Sequence, residues 1–255
     1  MRERNPIETN AAVGHHGEPN LRRPLTLIRT EPVASGIQNQ TAAAGASRRQ
    51  AMNAGAARIA GVTYPPIVQV SEADRRRVIA TIVAAFVNDP VERWLFPELA
   101  DYEARFGEFV AAFAGEAFER DGVWRLGDFD AVALWLAPGA RVDETAITEV
   151  LTDAVASEQH QHMFSVLEQM DRAHPTFEHW YLPWLGVVAG AQGKGLGGQL
   201  LEHGLARVDQ SHLPAFLETP NPRTIAFYER QGFVVTAESQ SGDCPPVTSM
   251  LREAR

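Results

Sequence analysis

Residues 185 to 198 read Leu-Gly-Val-Val-Ala-Gly-Ala-Gln-Gly-Lys-Gly-Leu-Gly-Gly, with glycines at 190, 193, 195, 197 and 198 inside the loop. The apolar Trp184, Leu185, Val187 and Val188 run into it, and Leu196, Leu200, Leu201, Leu205 and Val208 follow at helical spacing. That order is strand, glycine loop, helix. Backbone N–H groups at a helix N-terminus, with little side-chain bulk above them, make a cradle for phosphate. The stretch therefore predicts a nucleotide or coenzyme pyrophosphate site. After its helix, 215–218 reads as a short strand ending on an acid, Glu218.

The elements that must position this loop follow from the pattern upstream and downstream. Residues 66–70 read as a first strand, and Val78, Ile79, Ile82, Val83 and Phe86 make the apolar face of a helix broken at Asn88-Asp89-Pro90. A short segment, 91–96, precedes a second helix carrying Tyr102, Phe106, Phe109, Val110, Phe113 and Phe118. Those aromatics read as core. Residues 123–126 and 131–136, split by Gly127-Asp128, predict a hairpin. Apolar periodicity over 143–170 predicts helix with an interruption around 158–162. His160 and His162 lie there, two positions apart, so on a regular helix they point different ways and do not ligate one metal. A long strand over 179–188 leads into the loop, Asn221-Pro222 starts a short helix, and 233–235 with 247–251 supply the last strands. The order is that of one mixed α/β domain over 65–255.

Composition narrows the class. With 45% hydrophobic and 22% charged residues in 255, the chain reads as a soluble globular protein. It contains no apolar run of about 18 residues and no secretory pattern at its start, so the expected location is cytoplasmic. Its one cysteine, Cys244, excludes an internal disulfide and a multi-cysteine zinc site. Residues 1–64, rich in Asn, Gly, Ala, Gln, Arg and Pro and without apolar periodicity, read as a disordered low-complexity extension. Net charge is −9, and residues 62–255 hold 15 basic against 28 acidic side chains. An acidic body disfavours nucleic acid and mildly favours cationic ligands such as amines.

Gly193-x-Gly195-x-x-Gly198 fits the dinucleotide-binding fingerprint, and Glu218 stands where a ribose-binding acid would. Its position in the chain argues against that reading. Only 37 residues follow Glu218, too few for the further βαβ units a dinucleotide fold needs. A Walker A loop is excluded because Gly195, and not Ser or Thr, follows Lys194.

Gln192-Gly193-Lys194-Gly195-Leu196-Gly197 resembles the Gln/Arg-x-x-Gly-x-Gly/Ala signature of the GNAT superfamily of acetyl-CoA-dependent N-acetyltransferases. Asn221, Tyr228 and Gly232-Phe233 resemble that family's later segment at its usual separation. More narrowly, Trp180, Leu185-Gly186-Val187, Pro214 to Thr219 and Phe227-Tyr228-Glu229-Arg230 are similar to the subgroup that includes puromycin N-acetyltransferase.

The resemblance implies an α/β GNAT fold, a mixed central sheet flanked by helices, whose fourth and fifth strands (here 179–188 and 215–218) splay around the pantetheine arm of acetyl-CoA, the co-substrate. It implies that backbone N–H groups of Val187 and Val188 bind the pantetheine and polarise the thioester carbonyl. Gln192, Gly193, Lys194, Gly195, Leu196, Gly197 and Gly198 would hold the pyrophosphate, Asn221 would touch the coenzyme arm, and Tyr228 would line the coenzyme and protonate the departing thiolate. Amine attack needs a neutral amine, so a base is required. Glu218 is the first candidate, with His179 and Glu178 behind it. No metal is implied. The expected reaction is acetyl transfer by direct attack of a small-molecule primary amine, an aminonucleoside-type antibiotic among the acceptors, with the acceptor wall drawn from 89–118 and 160–181. Alternatives are a non-catalytic acyl-CoA-binding or sensory module and a peptide or protein N-acetyltransferase. Neither nucleic acid nor membrane is an expected partner, and a homodimer is one option for the assembly.

Overall fold

The computed structural model describes residues 65–255 and, ahead of them, the two-residue strands Arg58–Ile59 and Val62–Thr63, which pair antiparallel. The rest of the extension expected over 1–64 lies outside the described residues.

Seven strands build one sheet: β1 (Ile67–Gln69), β2 (Val123–Leu126), β3 (Ala131–Leu136), β4 (Trp180–Val187), β5 (Ala215–Thr219), β6 (Val234–Ser239) and β7 (Val247–Arg252). Their order across the sheet is β1-β2-β3-β4-β5-β7-β6. Every neighbouring pair is antiparallel except β4 and β5, which run parallel. A parallel pair needs a crossover, and the helix Leu196–Ser211 that follows the glycine loop provides it.

Among the described residues, seven α-helices flank the sheet: α1 (Arg75–Phe86), α2 (Pro90–Leu95), α3 (Leu99–Ala114), α4 (Glu144–Ala154), α5 (His160–Ala173), α6 (Leu196–Ser211) and α7 (Pro222–Glu229). α2 occupies the stretch that read as a short segment after a break. Its start is set by Asp89, whose side chain accepts from the N–H groups of Val91 and Glu92, and by Pro90 at the first helical position. The interruption expected near 158–162 falls slightly earlier, because Val155 turns extended at φ −86° and ψ 135° and ends α4. α7 starts as its sequence predicts, with the Asn221 side chain accepting from the Arg223 N–H and Pro222 next to it.

The two faces of the sheet carry separate cores. Tyr102, Phe106, Phe109, Ile147 and Trp184 pack on one, under α1, α3, α4 and α5. Leu196, Leu200, Leu201, Leu205 and Phe233 pack on the other, under α6 and α7. The site lies where these layers communicate. β4 and β5 pair only at Trp180–Ala215, Tyr181–Phe216 and Leu182–Leu217, after which β4 continues to Val187 and β5 to Thr219 without each other. Pro183 follows the last rung and has no N–H to extend a ladder. It also falls at a register shift, since Leu134 and Leu136 on β3 oppose Trp184 and Tyr181. β5 meanwhile stays paired with β7 along its whole length, so the sheet opens only between β4 and β5.

Candidate active site

A cavity of about 650 Å³ occupies the opening and is lined from both faces, with Phe86, Phe109 and Trp184 on one side and Gly197, Phe227 and Tyr228 on the other. The two sides differ in chemistry.

On the α6 side, Gly193 and Gly195 take φ of +74° and +78°, a left-handed turn in which a side chain would be strained. Gly195 caps α6 without any side-chain hydrogen bond, which leaves the first-turn amides of Leu196, Gly197 and Gly198 facing the loop. A Cβ on Gly197 would lie 3.4 Å from Val187 Cγ2, so the helix start sits directly on the end of β4. Gln192 Nε2 donates to the Val187 carbonyl at 3.0 Å, and Lys194 Nζ donates to the Gly190 carbonyl at 2.9 Å, each closing the loop on itself. An uncapped helix start, a bare glycine turn and an adjoining open strand edge fit the pyrophosphate and pantetheine of acetyl-CoA.

The register decides which strand amides are available. Val188 N–H donates to the Asp130 carbonyl at 3.0 Å, so the Val188–Asp130 rung is a hydrogen-bonded one. In an antiparallel ladder such rungs alternate with rungs whose polar groups point outward. Ala131–Val187 and Ala133–Leu185 are therefore the outward rungs, and the N–H groups of Val187 and Leu185 turn toward β5. Of the two amides expected at the thioester, that of Val187 therefore faces the opening, while that of Val188 is taken by the Asp130 carbonyl; the Leu185 amide faces the opening beside Val187.

On the opposite face stands Glu218. Side chains alternate along a strand, so Glu218 shares a side with Phe216, which packs with Tyr181 in the aromatic core. Tyr181 Oη donates to Glu218 Oε2 at 2.8 Å, while Oε1 is buried without a partner. Burial raises the Glu218 carboxyl to about 7, against the opposing pull of the Tyr181 hydrogen bond. Such a group exchanges a proton near neutrality. Tyr228 lies across the opening, 9% exposed, packed on Phe227 and Phe233. Its hydroxyl has no hydrogen bond among the described residues, and burial raises its pKa, so it stays protonated and free to donate.

The remaining candidates lie elsewhere. Glu178 is exposed, and neither it nor His179 lines the cavity. His179 is buried at the start of β4, where Nδ1 donates to the Phe177 carbonyl at 2.7 Å and Nε2 meets His174 Nε2 at 3.0 Å. Burial lowers the pKa of both rings, His174 to about 3, and both are neutral packing elements. His160 and His162 go to separate partners, the Val155 carbonyl and Ser241 Oγ. Asn221 lines the cavity while capping α7. The sequence reading missed Tyr181, Asp89 and Glu92 as individual polar groups of the site, although they fall within or beside the segments expected to form the acceptor wall. Nothing in residue type separates them from ordinary strand and helix residues. Phe109 and Phe113, read as core, are both core and cavity wall.

Residues 155–233 match the model of the acetyltransferase (GNAT) family. An uncharacterized N-acetyltransferase of Schizosaccharomyces pombe is 28% identical over 211 residues, 72% of this chain and 82% of the relative. A 5-NmdU N-acetyltransferase of Pseudomonas phage PaMx11 is 39% identical over 62 residues, 24% of this chain and 44% of that protein. A solved structure from Corynebacterium glutamicum, described as histone acetyltransferase HPA2 and related acetyltransferase, shares the fold with a TM-score of 0.55 at 24% identity, covering 76% of this chain and 98% of its own. The seven-stranded sheet parted at β4 and β5 and the glycine loop leading into α6 give the chain the GNAT fold, and the match over 155–233 together with these N-acetyltransferase relatives supports an acetyl-transferring enzyme.

Proposed function

We propose that the chain transfers acetyl from acetyl-CoA to a primary amine of a small molecule, by direct attack of the amine on the thioester. The observation that carries this reading is Glu218: a carboxylate poised near neutrality, hydrogen-bonded to Tyr181, inside a cavity walled by Phe86, Phe109, Phe113 and Trp184. Acetyl-CoA supplies the activated acyl group. The chain supplies placement and proton traffic. Amides of the first turn of α6 would hold the pyrophosphate, and the outward amides of Leu185 and Val187 would orient the pantetheine and the thioester carbonyl. Glu218, on the acceptor side, takes a proton from the incoming ammonium so that a neutral amine attacks. Tyr228, on the coenzyme side, gives a proton to the thiolate that leaves, and the proton shed by the attacking nitrogen as the amide forms restores the tyrosine.

A base on one face and an acid on the other suit a reaction whose nucleophile enters from one side while its leaving group departs on the other. The proton-transfer groups argue against a purely sensory module, and the aromatic wall of Phe86, Phe109, Phe113 and Trp184 supports a small acceptor over a peptide. The likeness to the puromycin-acetylating subgroup makes an aminonucleoside one acceptor worth measuring. Thiol release from acetyl-CoA across a panel of alkylamines, arylalkylamines, aminonucleosides including puromycin, and peptides tests the reading. Turnover on small amines with none on peptides is the expected result. Turnover confined to peptides overturns it.

A further inference from the structure

The acceptor side of the cavity holds two carboxylates that acetyl transfer leaves unused. Asp89 and Glu92 stand at the start of α2 and both line the chamber. Asp89 Oδ1 is held in place by the N–H groups of Val91 at 3.1 Å and Glu92 at 3.4 Å. Glu92 is 6% exposed, and its Oε2 is buried with no hydrogen-bond partner.

The surrounding groups do not complete it. Tyr102 Oη donates to the Val83 carbonyl at 2.7 Å. Arg93 directs its guanidinium to the Pro97 carbonyl and over the Tyr102 ring. Trp94 Nε1 donates to Asp243 Oδ1 at 3.0 Å. Among the described residues, no Lys, Arg or His side chain comes within ion-pair distance of either carboxylate. Burial raises both groups, and the charge of Asp89 raises Glu92 further. A buried carboxylate oxygen left unmatched is costly in a folded protein and calls for a partner.

Building on the reading of this cavity as the acceptor chamber, we propose that Asp89 and Glu92 form a subsite for a second cationic group, so that the natural acceptor is a diamine or an amine bearing another ammonium or guanidinium. One nitrogen is acetylated beside Glu218. The other pairs with Glu92, in contact with the Asp89 field, and the carbon chain between them lies on Phe86, Phe109 and Trp184. Two carboxylates one helical turn apart select a cation over a hydroxyl, because a neutral donor leaves their mutual repulsion in place.

The test compares kcat/KM of the full chain for α,ω-diaminoalkanes and for n-alkylamines of equal length, with acetyl-CoA as donor. The diamine should be preferred by about tenfold or more, as expected for a charge-assisted hydrogen bond, and the preference should collapse in both Glu92→Gln and Asp89→Asn. Turnover without any diamine preference, or a preference that survives Glu92→Gln, overturns the subsite while leaving the transfer reaction standing. If no amine turns over, the transfer reading fails. Calorimetric binding of diamine against monoamine to the wild-type chain then decides the subsite separately, equal affinities counting against it. A Glu92→Gln chain that does not fold leaves the wild-type preference and Asp89→Asn as the deciding measurements.

Discussion

Tyr181 Oη and Glu218 Oε2 lie 2.8 Å apart across the last rungs that join β4 to β5, so the proposed base is tied to the strand pair at the point where the strands part. The hydrogen bond favours the ionised carboxylate, and its loss leaves burial unopposed. Tyr181→Phe should therefore move the acid limb of the kcat/KM profile upward by about one pH unit or more, given roughly 1.5–3 kcal/mol for a hydrogen bond to a charged group. Rates measured from pH 5 to 10 check this. A limb that stays near 7 removes Tyr181 as the positioning residue.

Glu218→Gln should lower kcat at neutral pH by about 10²- to 10⁴-fold, the usual contribution of a general base. The same change has a second readout in stability. A carboxyl raised to about 7 in the fold binds more protons than it does unfolded, so the wild type loses stability as pH rises from its unfolded value through about 7. Tm of the variant should exceed that of the wild type at pH 8, and the gap should close toward pH 4. A gap that widens on acidification would mean that Glu218 is ionised and paired instead.

Tyr228→Phe removes a hydroxyl and almost no packing, since the ring keeps Phe227 and Phe233 as neighbours. A fall in kcat of about 10²-fold, with a smaller change in KM for acetyl-CoA, is expected of an acid acting on the leaving thiolate. Steady-state kinetics at saturating amine separate the two. An unchanged kcat would strip Tyr228 of the role.

Gly195→Ala forces a side chain onto a residue at φ +78° that also starts α6. Strain of about 1 kcal/mol or more is expected, seen as a lower Tm, together with weaker acetyl-CoA binding by calorimetry because the first-turn amides are displaced. Binding that is unaffected would move the pyrophosphate away from this turn.

Much of this architecture is legible in local pattern. The glycine loop followed by Leu196, Leu200, Leu201 and Leu205 announces strand, turn and helix, because backbone freedom and helical period are properties of neighbouring residues. Asn221-Pro222 announces the start of α7 for the same reason. α2 escaped notice because it is six residues long and its signal is one cap and one proline, Asp89 and Pro90, which on paper read as a break.

By itself, the sequence determined that a glycine loop leading into a helix lies late in a mixed α/β domain, with Glu218 and Tyr228 following it in the chain. Tertiary structure decided which face each occupies. Whether Val187 or Val188 offers its amide depends on which rung of β3 it meets, and Tyr181, 37 positions from Glu218 in the chain, becomes its partner only when β4 and β5 lie side by side. The unmatched oxygen of Glu92 follows likewise from its burial in the cavity wall. Registers and enclosure are set by contacts between distant segments, and no local spacing encodes them.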